Sequence, residues 1–152
     1  MDITSHLIEK CKSLLVLEIS DVEYCLDNAI ISTIIKTENK FQTNSTETLK
    51  YSQLNIGDKS IPLIDLKKTL TNEKLKIDEN SRIMIIEFND MKFGLLAEKV
   101  KEIIALDMKF ITTTLQFIPE LNGRYTEGTL EFEERKIMLL NIEKILTDTG
   151  CI

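Results

Sequence analysis

Histidine is nearly missing from this chain: His6 stands alone near the start. A Ser-His-Asp or Cys-His centre would have to be built on that one residue, so nucleophilic catalysis of that kind is not expected. Zinc sites of the His/Cys type fail on the same count. Cysteine is scarce as well. Cys11, Cys25 and Cys151 are odd in number and none falls in a CxxC motif, which argues against a disulfide framework and fits a reducing, cytoplasmic setting. The glycines are scattered, and neither a GxxxxGK[ST] nor a GxGxxG loop is present to cradle a phosphate. No cofactor is therefore expected.

Long apolar runs are absent too. None approaches the roughly 18 residues of a membrane span. The opening MDITSHLIEKCK has no basic stretch followed by a long apolar run, so a signal peptide is not expected. Positive charge is in deficit, with a net charge of −6 at neutral pH. Nucleic acid and anionic membrane both require a basic footprint, and neither is expected as the main partner. No basic patch interleaved with aromatics marks a single-strand binder.

What is present is a core-building supply of apolar residues: 43% of 152 residues, enough for one domain or two small packed subdomains. Their pattern centres on Arg82–Leu106. There an apolar run, Ile83–Phe88, meets a polar corner at Asn89-Asp90, and a second run follows at Phe93–Ala97. Two β-rich runs around an Asn/Asp corner predict a hairpin. The chain repeats this stretch. Slid so that Leu15 lies under Met84, Glu18 meets Glu87, Asp21 meets Asp90, Leu26 meets Leu95 and Ile34-Ile35 meet Ile103-Ile104. A second echo sets KSIPLIDLKKTL, from Lys59, against RKIMLLNIEKIL, from Arg135. Two β-rich halves of one architecture follow, roughly 14–70 and 83–146, with a lead-in at 1–13 and a tail at 147–152. Two units are too few for a solenoid.

Taken in order, Ile3, Leu7, Ile8 and Cys11 have helical spacing and predict a short amphipathic lead-in. Leu14–Ile19 and Val22–Leu26 form a hairpin around Ser20-Asp21. Ala29–Ile35 is a bent strand or a helical turn leading into a strand. Thr37–Lys50 reads as a long polar loop. Gly57-Asp58 is a tight corner between Tyr51–Ile56 and a strand whose Pro62 argues for an edge or a bulge. Asp65 and Asn141 sit where N-caps of short helices belong. Asp107–Thr114 reads as a link, and Glu133-Glu134 turns a last hairpin. About ten short strands with two or three short helices suggest small barrels, whose closure removes exposed edges.

No chemistry is visible. Glu131, Glu133 and Glu134 form a solvated hairpin tip. A hydrolase of paired carboxylates stays open as an alternative only because spatial pairing is invisible in sequence. The residues alone point to a protein–protein adaptor.

These landmarks resemble the CheW family of bacterial chemotaxis coupling proteins. LLVLEISDVEYCLD is similar to the family's opening strand-turn-strand unit, and NIGDKSIPLIDL to its N-L-R-G…P-[IV]-[IV]-D-L stretch. FGLLAEKVKEII and YTEGTLEFEERKIMLLNIEKIL resemble its later segments, in family order from Leu14 to Leu146. The resemblance implies a mostly β fold of two five-stranded, SH3-like β-barrel subdomains packed side by side, with short helices, together forming a single domain over 14–146. It implies a non-enzymatic scaffold linking the cytoplasmic tip of chemoreceptors to the regulatory domain of a CheA histidine kinase. A following receiver domain is not expected, so a CheV-like fusion is not the expected reading. Carried over by position, Ile31, Ser52, Gly57, Asp58, Ile103 and Gly128 are candidate receptor contacts in a groove. Asn28, Thr33, Ile34 and Phe117 are candidate kinase contacts. The bland alternative is core packing for the isoleucines and a positive-φ role for Gly128.

One corner departs from the pattern. The family's N-L-R-G turn is Asn55-Ile56-Gly57-Asp58 here, and an upstream proline and glycine are replaced by Glu47 and Ser52. The missing arginine is a planar donor suited to anchoring a partner. Its loss motivates a second expectation: a divergent paralogue that binds the kinase or other CheW-like proteins but not standard receptors.

Overall fold

The computed structural model describes residues 11–37, 52–107, 111–112 and 123–152. The predicted lead-in helix, most of the polar loop and Phe117 lie outside them. In chain order come strands Cys11–Ile19 (β1), Val22–Asp27 (β2), Ile31–Lys36 (β3), Ser52–Ile56 (β4) and Lys59–Asp65 (β5), then helix Leu66–Thr71 (α1). There follow Arg82–Phe88 (β6), Met91–Ala97 (β7), Lys99–Asp107 (β8), Ile111–Thr112 (β9), Thr126–Phe132 (β10) and Arg135–Leu140 (β11), then helix Ile142–Asp148 (α2). Asn28–Ile30 is a single 3-10 turn, so the predicted choice between helical turn and strand resolves as one after the other.

The chain is mostly β, as expected, and its strands form two sheets. One runs β8-β1-β2-β11-β10-β9 and the other β3-β6-β7-β5-β4. The short β9, in a stretch expected to be a link, adds a sixth strand to the first. Neither sheet coincides with a sequence half, so the division into 14–70 and 83–146 does not describe the sheets. The β6–β7 hairpin joins β3, β4 and β5, while β8, β10 and β11 join β1 and β2.

This crossing follows from the internal echo. β1-β2-β3 corresponds to β6-β7-β8, and β5-α1 to β11-α2. In each unit the third strand leaves its own hairpin and pairs with the other unit's first strand. Leu14 lies opposite Ile104, Leu15 opposite Ile103 and Leu17 opposite Val100. Their counterparts repeat the register: Ile83 opposite Ile35, Met84 opposite Ile34 and Ile86 opposite Ile31. Both ladders carry a bulge at the equivalent step. An extra residue there bends the strand and increases its twist. The parallel pairs also correspond, Leu139 with Cys25 and Leu63 with Gly94. The molecule is a strand-exchanged duplication.

Each sheet carries its own apolar cluster. Leu14, Val16, Cys25, Ile104, Leu106, Leu130 and Ile137 gather in one. Leu54, Ile61, Leu63, Leu75, Ile83, Ile85 and Leu96 gather in the other, with Ile35 against them. The largest cluster lies between the sheets. There β1 presents Leu15, Leu17 and Ile19, and Phe93, Met84, Met138 and Leu146 join them. Thus β1 is buried on both faces, which explains its continuous apolar run.

The turns and caps obey local chemistry. Ser20-Asp21, Asn89-Asp90 and Glu133-Glu134 all have both residues at positive φ, as two-residue type I′ hairpins require. Asp65 Oδ1 accepts from the Lys68 N–H at 3.2 Å and Asn141 Oδ1 from the Lys144 N–H at 3.0 Å, so both predicted caps are present. Pro62 lies on an internal strand rather than an edge strand. Pairing of β5 with β7 begins only at Leu63, so at Pro62 the strand has its β4 neighbour alone and the missing N–H is tolerated.

Candidate functional site

The candidate contact residues separate into three places. Ile103 and Ile34 sit on β8 and β3, each the edge strand of its sheet. They are 57% and 38% exposed, among the most exposed large apolar side chains described. They are also counterparts in the duplication, opposite Leu15 and Met84 respectively. Sequence reasoning assigned them to different partners. The fold gives them equivalent seats on two different sheets.

Their surroundings differ in charge. Beside Ile103, the bulge residue Lys101 reaches Glu23 at 3.5 Å, and Arg135 binds Glu23 through two donors at 3.0 and 2.7 Å. The same guanidinium contacts Glu102 at 2.6 Å and lies 5.8 Å from the centre of the Phe132 ring. The paired hydrogen bonds from Arg135 hold the Glu23 carboxyl below its ordinary pKa, against a smaller upward push from burial. Arg135 is raised in turn by its bonds to Glu23 and Glu102. Beside Ile34 the counterpart bulge residue is Ser32, whose hydroxyl donates to the Ile85 carbonyl at 3.0 Å. Thr33 is exposed there, and the exposed Lys36, two residues along the strand from Ile34 and so on the same face, lies opposite Arg82. One apolar contact is therefore framed by a cluster of ion pairs and the other by hydroxyls and cationic side chains. Charge context of this kind sets which partner docks more than how tightly.

The second place is the β4–β5 turn. Ile56, Gly57, Asp58 and Lys59 are all exposed, and Ile56 pairs with Lys59. Only the first turn residue, Gly57, has positive φ, at 59°. This fits a type II′ turn with glycine first. The departure from the family pattern therefore concerns backbone as well as charge, because an arginine at that position would be held in the left-handed region. Ser52, half-buried, begins β4 opposite Leu63.

The third place is the junction between the sheets. Ile31 is half-buried against the central cluster, and Asn28 is half-buried in the 3-10 turn. Gly128 is buried beside the β10 bulge, opposite Leu139. It is not among the positive-φ residues, so its expected turn role is not observed. Their neighbours Ile30, Asp27 and Glu127 line a cavity of about 210 Å³, but none of the ten predicted contact residues does.

Sequence reading missed the Arg135 cluster and this cavity. Glu23 and Arg135 are 112 residues apart, and no local pattern announces such a pair. The chemistry described here is that of contacts. Cys25 is buried and its thiol is pushed up to about 12 by burial, the reverse of an activated nucleophile.

The comparisons with known proteins agree with this plan. The chain is 23% identical to the chemotaxis protein CheW of Klebsiella aerogenes over 133 residues, 88% of this chain and 80% of that protein. It is 19% identical to CheW of Bacillus subtilis, over 91% of this chain and 89% of the relative. The crystal structure of the scaffolding protein TtCheW from Thermoanaerobacter tengcongensis matches with a TM-score of 0.72 and 25% identity, over 85% of this chain and 88% of that one. A model of the CheW-like domain matches residues 13–150, nearly the full length, and the chain therefore belongs to the CheW-like domain family.

Proposed function

We propose that this chain is a non-enzymatic adaptor that couples chemoreceptors to a CheA-type histidine kinase in bacterial chemotaxis signalling. The observation that carries the proposal is the pair of equivalent, exposed isoleucines, Ile34 and Ile103, on edge strands of two different sheets with different charge surroundings. An adaptor needs two separate contacts that do not compete. A duplicated fold with divergent flanks supplies them. In this reading Asn28, Thr33, Ile34 and Phe117 face the kinase regulatory domain, and Ile31, Ser52, Gly57, Asp58, Ile103 and Gly128 face the receptor tip. Each contact is weak, and assembly into an array multiplies them through effective concentration. The adaptor works in the cytoplasm beneath the receptors. Among the described residues, no helix is long and apolar enough to cross a membrane.

The Gly57-Asp58 turn favours a second reading, in which the chain binds the kinase or other CheW-like proteins but not standard receptors. Pull-down with a CheA regulatory domain and a receptor cytoplasmic fragment separates the two. Retention of both partners supports the coupling role. Retention of the kinase alone supports the paralogue, and retention of neither rejects both.

A further inference from the structure

One of the two equivalent edge strands is tied down from across its sheet. β8 pairs with β1 alone, and that ladder is interrupted by the bulge at Lys101. Ile103 follows two residues later. Arg135 begins β11, three places along in the order β8-β1-β2-β11. Its Nε and Nη2 donate to the two carboxylate oxygens of Glu23 on β2, at 3.0 and 2.7 Å, and Nη2 also reaches Glu102 on β8 at 2.6 Å. Glu23 in turn holds Lys101 at 3.5 Å. The bulge residue and its neighbour are therefore both tied to one guanidinium, the first through Glu23 and the second directly. Phe132, opposite Arg135 on the β10–β11 hairpin, backs that guanidinium with its ring.

The sister sheet has the same positions without this chemistry. Arg135 corresponds to Lys59, Glu23 to Lys92, Lys101 to Ser32, Glu102 to Thr33 and Phe132 to Ile56. The registers agree: Ile56 lies opposite Lys59 as Phe132 lies opposite Arg135, and Glu87 lies opposite Lys92 as Glu18 lies opposite Glu23. Two lysines cannot pair where an arginine and a glutamate do. Lys92 instead lies 3.8 Å from Glu87 on its own hairpin, and Lys59 is exposed. The β3 bulge is stapled to the adjacent strand by the Ser32 hydroxyl. The tie across the sheet thus belongs to β8 and not to β3.

We propose that Arg135 is a positioning residue: from β11 it locks the bulge of β8 and so sets the stretch of edge strand that presents Ile103. The planar fork can serve two carboxylates in fixed directions, which a lysine ammonium cannot. The Glu23 side chain is 16% exposed, so salt screens this network less than an open surface pair. A contact made by a preset strand loses less freedom on binding. For partner affinity the inference rests on the adaptor reading, in which Ile103 meets the receptor. The locking of β8 stands apart from that reading.

The test measures amide hydrogen exchange in the free, full-length protein, and separately its affinity for a receptor cytoplasmic fragment and for a CheA regulatory domain. Arg135→Lys keeps the charge and removes the fork. Glu102→Gln weakens only the tie to β8 and leaves the Arg135–Glu23 pair. In Arg135→Lys the β8 amides bonded to β1 should exchange about tenfold faster, the scale of losing charge-assisted hydrogen bonds. In Glu102→Gln they should exchange about two- to fivefold faster, the scale of one exposed pair. Amides of β6 and β7 should keep their rates. Receptor affinity should fall in the same order, and kinase affinity should not change. Unchanged β8 exchange in both variants overturns the inference. So does an equal acceleration in β6 and β7, because a merely stabilising pair acts on all strands alike. Faster β8 exchange with undiminished receptor affinity shows that the lock does not set Ile103 and overturns it too. Faster β8 exchange in a protein whose wild type binds no receptor fragment supports the lock and rejects the receptor-coupling reading.

Discussion

Among single residues, the hairpin tips and the Arg135 cluster contribute most to the account. Glu133 and Glu134 lie at φ 49° and 64°, a region that costs most side chains about 1–2 kcal/mol each. Asn-Gly suits the same turn without that cost. The double substitution Glu133→Asn/Glu134→Gly should raise stability by about 0.5–1 kcal/mol in urea melts, and an unchanged midpoint would contradict the I′ geometry. Glu23 carries a pH prediction. Its carboxyl titrates below the usual glutamate range because Arg135 hydrogen-bonds the charged form. A lowered folded-state pKa contributes stability above about pH 4.5, and that stability is lost as pH falls through the lowered value. Glu23→Gln should therefore flatten the decline in stability below pH 4.5 while lowering stability at neutral pH. The sequence showed where the chain turns, because polar pairs interrupt apolar runs. It did not show the ion cluster, because Glu23, Glu102 and Arg135 meet only after β2, β8 and β11 are in place.

The elements were largely legible from periodicity and capping chemistry. Most strand positions, both helices and both caps followed from short-range rules, whereas β9 lies in a stretch that reads as a link. Strand partners did not, because an apolar strand such as β3 pairs with whichever neighbour the remote chain supplies. The two caps now make an internal comparison. Asn141 closes only its helix start, whereas Asp65 both caps α1 and holds the Leu75 N–H. Replacing Asn141 with alanine should cost about 1 kcal/mol. Replacing Asp65 should cost about 2–4 kcal/mol, since a partly buried N–H is left unpaired as well. Equal losses in denaturant titrations would mean that the Leu75 clasp contributes nothing. The β4–β5 turn yields a related expectation. Because Gly57 is held at φ 59°, Gly57→Arg with Asp58→Gly should destabilise the hairpin by about 1 kcal/mol unless the turn changes type. Thermal melts of the variant check this directly.

At the scale of the molecule, the echo in the sequence announced two related halves, and the structure shows that they are interlocked. Each sheet is completed by the other half's third strand, so sequence halves and structural units differ. That exchange places Ile34 and Ile103 on edge strands of the two sheets at equivalent positions in the register. The family pattern alone assigned the two isoleucines to partners by position. Their equivalence became visible only with the registers. Both side chains are partly exposed, so replacing either with aspartate should cost about 1–2 kcal/mol through lost strand propensity and partial burial, and a thermal melt of each variant confirms that binding is tested on folded protein. The most direct measurement is three-component sedimentation of the chain with a CheA regulatory domain and a receptor cytoplasmic fragment. The account predicts that Ile34→Asp releases the kinase and keeps the receptor, while Ile103→Asp releases the receptor and keeps the kinase. Loss of both partners in both variants, or of neither, would contradict a two-faced adaptor.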